Sequence, residues 1–361
     1  MNGIRRLRES GVSIWLDTLS RDLLDSGDFA RLVRRGVTGA TSNPTIFAKA
    51  ISESAAYDRQ LRDLTARGVH DARELFFALA LDDVRAAANQ LRRVYDETEG
   101  HDGYVSFECT PDVADDTAAT VEQASALWRR LHLPNVMIKV PATRAGVAAI
   151  EELTARGVNV NVTLLFALSR YDEVIDAYLT GLERRVERGQ PIDRIASVAS
   201  FFVSRIDAKA DGRLPAGSPL RGRIAVANAR LAYRLYRQRF AAERWRTLSA
   251  HRARDQRPLW ASTGTKNPEY SDVLYVEQLV TPGAVNTMPL ATLNAVDDHA
   301  EGRAADLDPV ADDRVLREAR AGGLDLDAIT AALETEGVQA FQRSYDQLIA
   351  CINEKLGVRE R

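Results

Sequence analysis

Short runs rich in β-branched and aromatic residues alternate with longer amphipathic stretches along most of the chain. The runs at 12–17 (VSIWLD), 38–44 (TGATSNP), 104–108 (YVSFE) and 136–141 (VMIKVP) read as strands. Four more follow at 158–163 (VNVNVT), 195–202 (IASVASFF), 258–263 (PLWAST) and 284–289 (AVNTMP). Between them, segments such as SRDLLDSGDFARLVRRG and TAATVEQASALWRRL repeat apolar residues every three or four positions, the period of a helix with one buried face. Strand alternating with helix implies parallel pairing, because parallel neighbours need a crossover, usually a helix. Eight such strands predict an α/β fold closed into a single (β/α)8 barrel.

The pattern is interrupted in three places. Ser169, three residues ahead of Asp172, reads as the cap of the helix after the fifth strand. The stretch 207–257 is long and broken by GRLPAGSPLRG, which reads as an elaboration after the sixth strand. Beyond the eighth strand, DDHAEGRAADLDPVADD reads as an acidic surface loop, and LDAITAALETEGVQAFQRSYDQLIACINEK as one or two final helices packed on the barrel. At 361 residues the length prior allows two domains, but α/β barrels run past ~250 residues as one unit, so 1–361 is read as one domain.

Strand parity says where the polar residues point. In VNVNVT, Asn159, Asn161 and Thr163 share one face and Val158, Val160 and Val162 the other. Apolar helices wrap the outside of a barrel, so the amides should face inward, where they need a substrate or each other as partners. The same parity groups Ser106 with Glu108 in YVSFE. Catalytic groups of such barrels gather where strands end. Here those ends carry Asp17, Asn43, Glu108, Lys139, Asn161 with Thr163, Ser200 with Arg205, and Ser262 with Lys266. Plainer roles exist for some: Asp17 as a helix cap, Asn43 before Pro44 as a turn residue, and Lys266 as a surface residue of a mobile loop.

Lys139 is the least ordinary of these, because it interrupts an apolar run. Lysine is rarely buried unless paired. Either its stem lies along the sheet with its head in water, or its amine sits in a desolvated site that lowers its pKa and leaves it able to attack a carbonyl. Only five of the 48 basic residues are lysines, and an arginine could not deprotonate to serve as a nucleophile. With Glu108 and Asp17 as proton-transfer groups and amides for hydroxyls, imine chemistry on a polyhydroxylated carbonyl compound fits this set.

Composition removes competing classes. The apolar (45%) and charged (27%) fractions are those of an ordinary soluble protein, and a net charge of −3 offers no basic excess for nucleic acid. Cys109 and Cys351 stand far apart without a CxxC pair, against a disulfide framework or zinc site and in keeping with a reducing setting. No histidine falls in the strand-end motifs and no HExxH appears, which disfavours a metal-dependent aldol mechanism. The first residues lack the apolar core of a signal peptide, and no apolar run approaches the ~20 residues of a membrane span. A cytoplasmic protein acting on small molecules, with neither nucleic acid nor membrane as partner, is the expectation.

Taken together, WLDTLSR, TSNPTIFAKAI, VSFE, VMIKVPAT, NVNVTLLF, SFFVSRID and WASTGTKNP, in this order and across most of the chain, resemble the transaldolase family, in its longer bacterial type. The resemblance implies a (β/α)8 barrel with a Schiff-base lysine on the fourth strand, no cofactor, and a place in the non-oxidative pentose phosphate pathway. It implies transfer of a dihydroxyacetone unit from a ketose phosphate (sedoheptulose 7-phosphate or fructose 6-phosphate) to an aldose phosphate (glyceraldehyde 3-phosphate or erythrose 4-phosphate). On that basis Lys139 forms the imine, Glu108 acts through a water, Asp17 removes a hydroxyl proton and Thr163 helps position the water. Asn43 and Asn161 would bind sugar hydroxyls, Ser200 and Phe202 would line the substrate site, and Arg205, Ser262 and Lys266 would bind phosphate, in a monomer or a homodimer. In one place the chain departs from the pattern: short-type members have an arginine close behind the strand-seven serine, where STGTKNP has Lys266. A Schiff-base aldolase that releases its three-carbon unit to water would share these residues, and a catalytically silent metabolite-binding barrel is the alternative outside enzymology.

Overall fold

The computed structural model describes residues 3–357. Eight parallel strands close in chain order into a barrel: β1 (Ser13–Leu16), β2 (Gly39–Thr41), β3 (Val105–Glu108), β4 (Val136–Pro141), β5 (Val160–Leu165), β6 (Ser197–Phe202), β7 (Gln256–Ala261) and β8 (Val285–Met288), with β8 paired back onto β1. Helices surround it, as the alternating pattern predicts. β2 is shorter than expected because Pro44, which has no N–H for a ladder, begins the helix Pro44–Glu53 and Asn43 caps it.

The faces of β3, and of β5 as far as Val162, behave as parity requires. Phe107 packs outward, its ring 5.9 Å from Phe47 and 6.3 Å from Phe77, which leaves Ser106 and Glu108 for the interior. Inside, the Asn161 amide donates to Ser106 Oγ (2.9 Å) and its carbonyl accepts from Ser200 Oγ (2.7 Å), so these polar groups satisfy one another across three strands. Asn159, lower in the barrel, binds only backbone, through Pro134 O, Val136 O and Ala196 N. At the base of β1, fully buried Trp15 donates its indole N–H to Asp102 (2.8 Å) and lies flat on Gly39. A Cβ at Gly39 would stand 2.5 Å from the indole. Gly39→Ala is therefore expected to cost about 1–3 kcal/mol, as overpacking of a close-packed interior does. A urea unfolding curve with an unshifted midpoint would refute this.

Two local expectations change. The helix after β5 is Leu168–Glu187, entered through Ala167, so Ser169 lies within its first turn and does not cap it. The connection is fixed instead by Asn228, whose amide donates to Phe166 O (2.9 Å). The acidic stretch after β8 is a loop only in its middle: Leu290–His299 enters it, and Pro309–Ala321 leaves it, with Asp308 accepting from the N–H groups of Val310 and Ala311. An aspartate before a proline is a helix start as much as a turn. The final segment is one helix, Leu326–Lys355, packed against Pro44–Glu53 and the end of β5. The stretch 207–257 holds the helices Ile224–Arg239 and Glu243–Ala250 before β7. Among the described residues, no helix is long and apolar enough to cross a membrane.

Candidate active site

The register of the central strands brings the chemistry together. Glu108 on β3 lies opposite Lys139 on β4, which lies opposite Asn161 on β5, and Pro141 lies opposite Thr163. Lys139 is 4% exposed, so its ammonium does not reach bulk water. Its Nζ lies 3.1 Å from Glu108 Oε2 and donates to the Ser42 carbonyl at 3.0 Å. Burial pushes the Glu108 carboxyl above its usual range, and the adjacent Lys139 charge works against that rise.

Between Val162 and Leu165 the β5–β6 register shifts by one residue, a bulge in which Leu164 adopts φ +59°. Bulges of this kind re-aim side chains near active sites. Beside it Thr163, fully buried, holds an Oγ1 with no hydrogen-bond partner among the described residues. Such a hydroxyl is costly unless water or a ligand meets it.

Across the mouth, Asp17 follows β1; its N–H donates to Met288 O and its carboxylate accepts from Thr41 Oγ1 at 2.7 Å. Thr41 in turn contacts Thr287 Oγ1 at 2.8 Å. Asp17 does not cap the following helix, since Ser20 does. Asn43 does cap its helix, accepting from Ile46 N at 3.0 Å, and the residue also borders the cavity. Arg205 lies with its guanidinium 5.2 Å from the centre of the Phe202 ring. It has no hydrogen-bond or ion-pair partner among the described residues. Asp17 and Glu108 are the charges that oppose the effect of its burial. Ser262 takes φ +55°, and its Oγ is 2.9 Å from Ser204 Oγ. Lys266 is exposed at the rim.

All of the sequence-predicted residues except Glu108 and Asn161 line one cavity of about 170 Å³ at the carboxyl ends of the strands. Those two stand immediately behind its wall, Glu108 ion-paired with Lys139 and Asn161 accepting from Ser200. The cavity also takes Thr41, Thr287 and Phe341. Sequence reasoning missed these; the threonines sat in quoted strands without a charge to mark them, and Phe341 reaches the mouth only because the last helix folds back over it. A larger cleft, of about 640 Å³, opens at the opposite end of the barrel among residues such as Arg92, His101, Arg194 and Arg254 and contains none of the predicted set. In α/β barrels the chemistry belongs to the carboxyl face. Among the described residues no group of three or more His, Cys, Asp or Glu side chains is placed to hold a metal ion.

The transaldolase/fructose-6-phosphate aldolase family model matches residues 14–352 of the chain. A transaldolase of Frankia alni is 48% identical over 364 residues, covering 99% of this chain and 98% of that protein. One of Acidothermus cellulolyticus is 50% identical over 360 residues, covering 98% and 96%. Transaldolase 1 of Streptomyces coelicolor is 48% identical over 368 residues, covering 98% and 94%.

Proposed function

The chain belongs to the transaldolase/fructose-6-phosphate aldolase family, and from that premise we propose that it is a transaldolase whose covalent residue is Lys139. It is a transferase acting on sugar phosphates in carbohydrate metabolism. The observation that carries the residue assignment is the buried Lys139–Glu108 pair beneath the unpartnered Thr163 hydroxyl. The other four lysines, at 49, 209, 266 and 355, are exposed or half-exposed.

A proton leaves the Lys139 ammonium for Glu108, whose burial favours the protonated form, and the free amine adds to the donor's ketone carbon. Glu108, through a water held by Thr163, returns the proton to the leaving hydroxyl, and water departs to give the iminium. Asp17 then takes the proton of the sugar hydroxyl beyond the bond to be broken. Carbon–carbon cleavage releases the aldose and leaves a three-carbon enamine on Lys139, which adds to the acceptor aldose. Asn43 and, from behind the wall through Ser200, Asn161 engage the sugar hydroxyls, Ser200 and Phe202 shape the wall, and Arg205 with Ser262 and Lys266 takes the phosphate. The reading places the enzyme in the cytoplasm, in the non-oxidative pentose phosphate pathway.

Acceptor dependence tests the activity. With fructose 6-phosphate and erythrose 4-phosphate, sedoheptulose 7-phosphate is expected, while fructose 6-phosphate alone should release little free dihydroxyacetone. Release at the same rate without acceptor would make the protein an aldolase.

The phosphate assignment has its own test. Arg205 offers a planar fork and Lys266 a point charge. Loss of either charge-assisted bond should weaken phosphorylated donors by roughly 1.5–3 kcal/mol, or about 10- to 150-fold. Arg205→Ala and Lys266→Ala are thus expected to raise KM for fructose 6-phosphate and to leave the poor turnover of unphosphorylated fructose alone. Equal losses on both donors for Lys266→Ala would remove it from the site and leave Arg205 with Ser262.

A further inference from the structure

The helix Ser204–Ala210 carries Arg205, and the same stretch continues into the single turn Asp211–Arg213. Asp207 and Asp211, four residues apart and hence on one side of it, hold the surrounding segments. Asp207 accepts from Ala225 N at 2.8 Å, in the first turn of Ile224–Arg239, whose cap position Arg223 makes no side-chain bond there. Its other oxygen accepts from the Tyr275 hydroxyl at 3.0 Å. Asp211 accepts from Gly222 N (3.1 Å) and from the Tyr270 hydroxyl (2.6 Å). The Tyr270 ring also lies on Gly222, at φ +70°, where a Cβ would come within 2.9 Å of the ring's Cζ. The segment after β6, whose length the sequence alone leaves without a purpose, is therefore wrapped around these two carboxylates.

Both tyrosines come from the far side of β7. Tyr270 closes a turn onto the Asn267 carbonyl directly after Lys266. At the start of the same loop, Ser204 N donates to Ser262 O (3.1 Å), and the two hydroxyls are 2.9 Å apart. The loop bearing Ser262 and Lys266 is thus fastened to the Arg205 helix at both ends, and neither Tyr270 nor Asp211 lines the substrate cavity. We propose that the Tyr270–Asp211 hydrogen bond is a latch that sets Lys266 and Ser262 at their distance from Arg205, which makes Tyr270 and Asp211 positioning residues for the phosphate end of the substrate. This rests on the phosphate reading above. Charge-assisted contacts lose their strength when their geometry loosens by about an ångström, which is why such loops need a supporting bond.

Tyr270 is half-buried, so its hydroxyl can be removed and water can reach the Asp211 oxygen it leaves, with Gly222 N still bound. The experiment compares Tyr270→Phe, Asp211→Ala and Asp211→Asn in steady-state transfer from fructose 6-phosphate and from unphosphorylated fructose, with Arg205→Ala in parallel. Tyr270→Phe is expected to raise KM for fructose 6-phosphate about tenfold with kcat within about twofold, the signature of lost ground-state binding, and to leave kcat/KM for fructose unchanged. Asp211→Ala should do the same, and Asp211→Asn, whose amide still bonds the phenol, should restore the KM. An unchanged KM for fructose 6-phosphate, or equal losses on both donors, would overturn the latch. The parallel variant separates the causes. If Arg205→Ala is selective for the phosphorylated donor and Tyr270→Phe is not, the latch alone fails; if Arg205→Ala depresses both donors equally, the phosphate reading fails beneath it.

Discussion

Lys139→Arg is expected to reduce transfer to background while the barrel still folds. Arginine keeps a positive charge opposite Glu108, so the variant does not strand a buried carboxylate, a loss that by itself costs roughly 3–5 kcal/mol. What it lacks is an amine that can give up a proton and attack. The site is close-packed, with Nζ held between Ser42 O and Glu108, and the larger guanidinium will press on both. Far-UV circular dichroism and the unfolding midpoint therefore accompany the assay, and Lys139→Met, apolar and of similar length, serves as the second variant. Borohydride reduction of the wild type with fructose 6-phosphate should leave a three-carbon adduct on the peptide containing Lys139, absent from both variants. Adduct confined to Lys49, Lys209 or Lys266 would overturn the assignment.

How much of this was legible in the sequence depended on whether the signal was local. The barrel was, because period-two runs and helical runs alternate and parallel strands admit few closures. Parity also foretold that Ser106, Glu108, Asn161 and Thr163 share one interior, and the Asn161 bonds to Ser106 and Ser200 show why: buried amides on neighbouring strands complete one another. The two readings of Lys139 could not be separated by sequence, since both put β-branched neighbours around a lysine. Its 4% exposure separates them. Asn43 shows that a plain reading and a functional one need not compete, because its carbonyl oxygen caps a helix while the residue also borders the cavity. Phe341 and the Tyr270–Asp211 bond were invisible, being contacts between segments 59 residues apart or more whose partners no local spacing announces. Ser169 misled because a good capping residue one position inside a helix looks the same on paper as one at its start.

Asp17→Asn and Glu108→Gln are expected to fail at different steps, each by roughly 10²–10⁴-fold as general acid–base losses are. Asparagine at position 17 keeps a carbonyl oxygen for the Thr41 hydroxyl, so the side chain should hold its place, but an amide takes no proton from a sugar hydroxyl. The imine should form and then wait uncleaved. Borohydride trapping of Asp17→Asn with fructose 6-phosphate should accordingly give Lys139 bearing the intact six-carbon phosphate in place of the three-carbon unit. Glutamine at position 108 leaves Lys139 without its proton acceptor and its counter-charge. Nothing then shuttles a proton to the departing hydroxyl or, later, helps water return. Trapped adduct of either size should appear slowly in Glu108→Gln, and the little that forms should be cleaved at close to the normal rate. If Asp17→Asn abolished trapping while Glu108→Gln accumulated the six-carbon adduct, the two carboxylates would have to exchange roles.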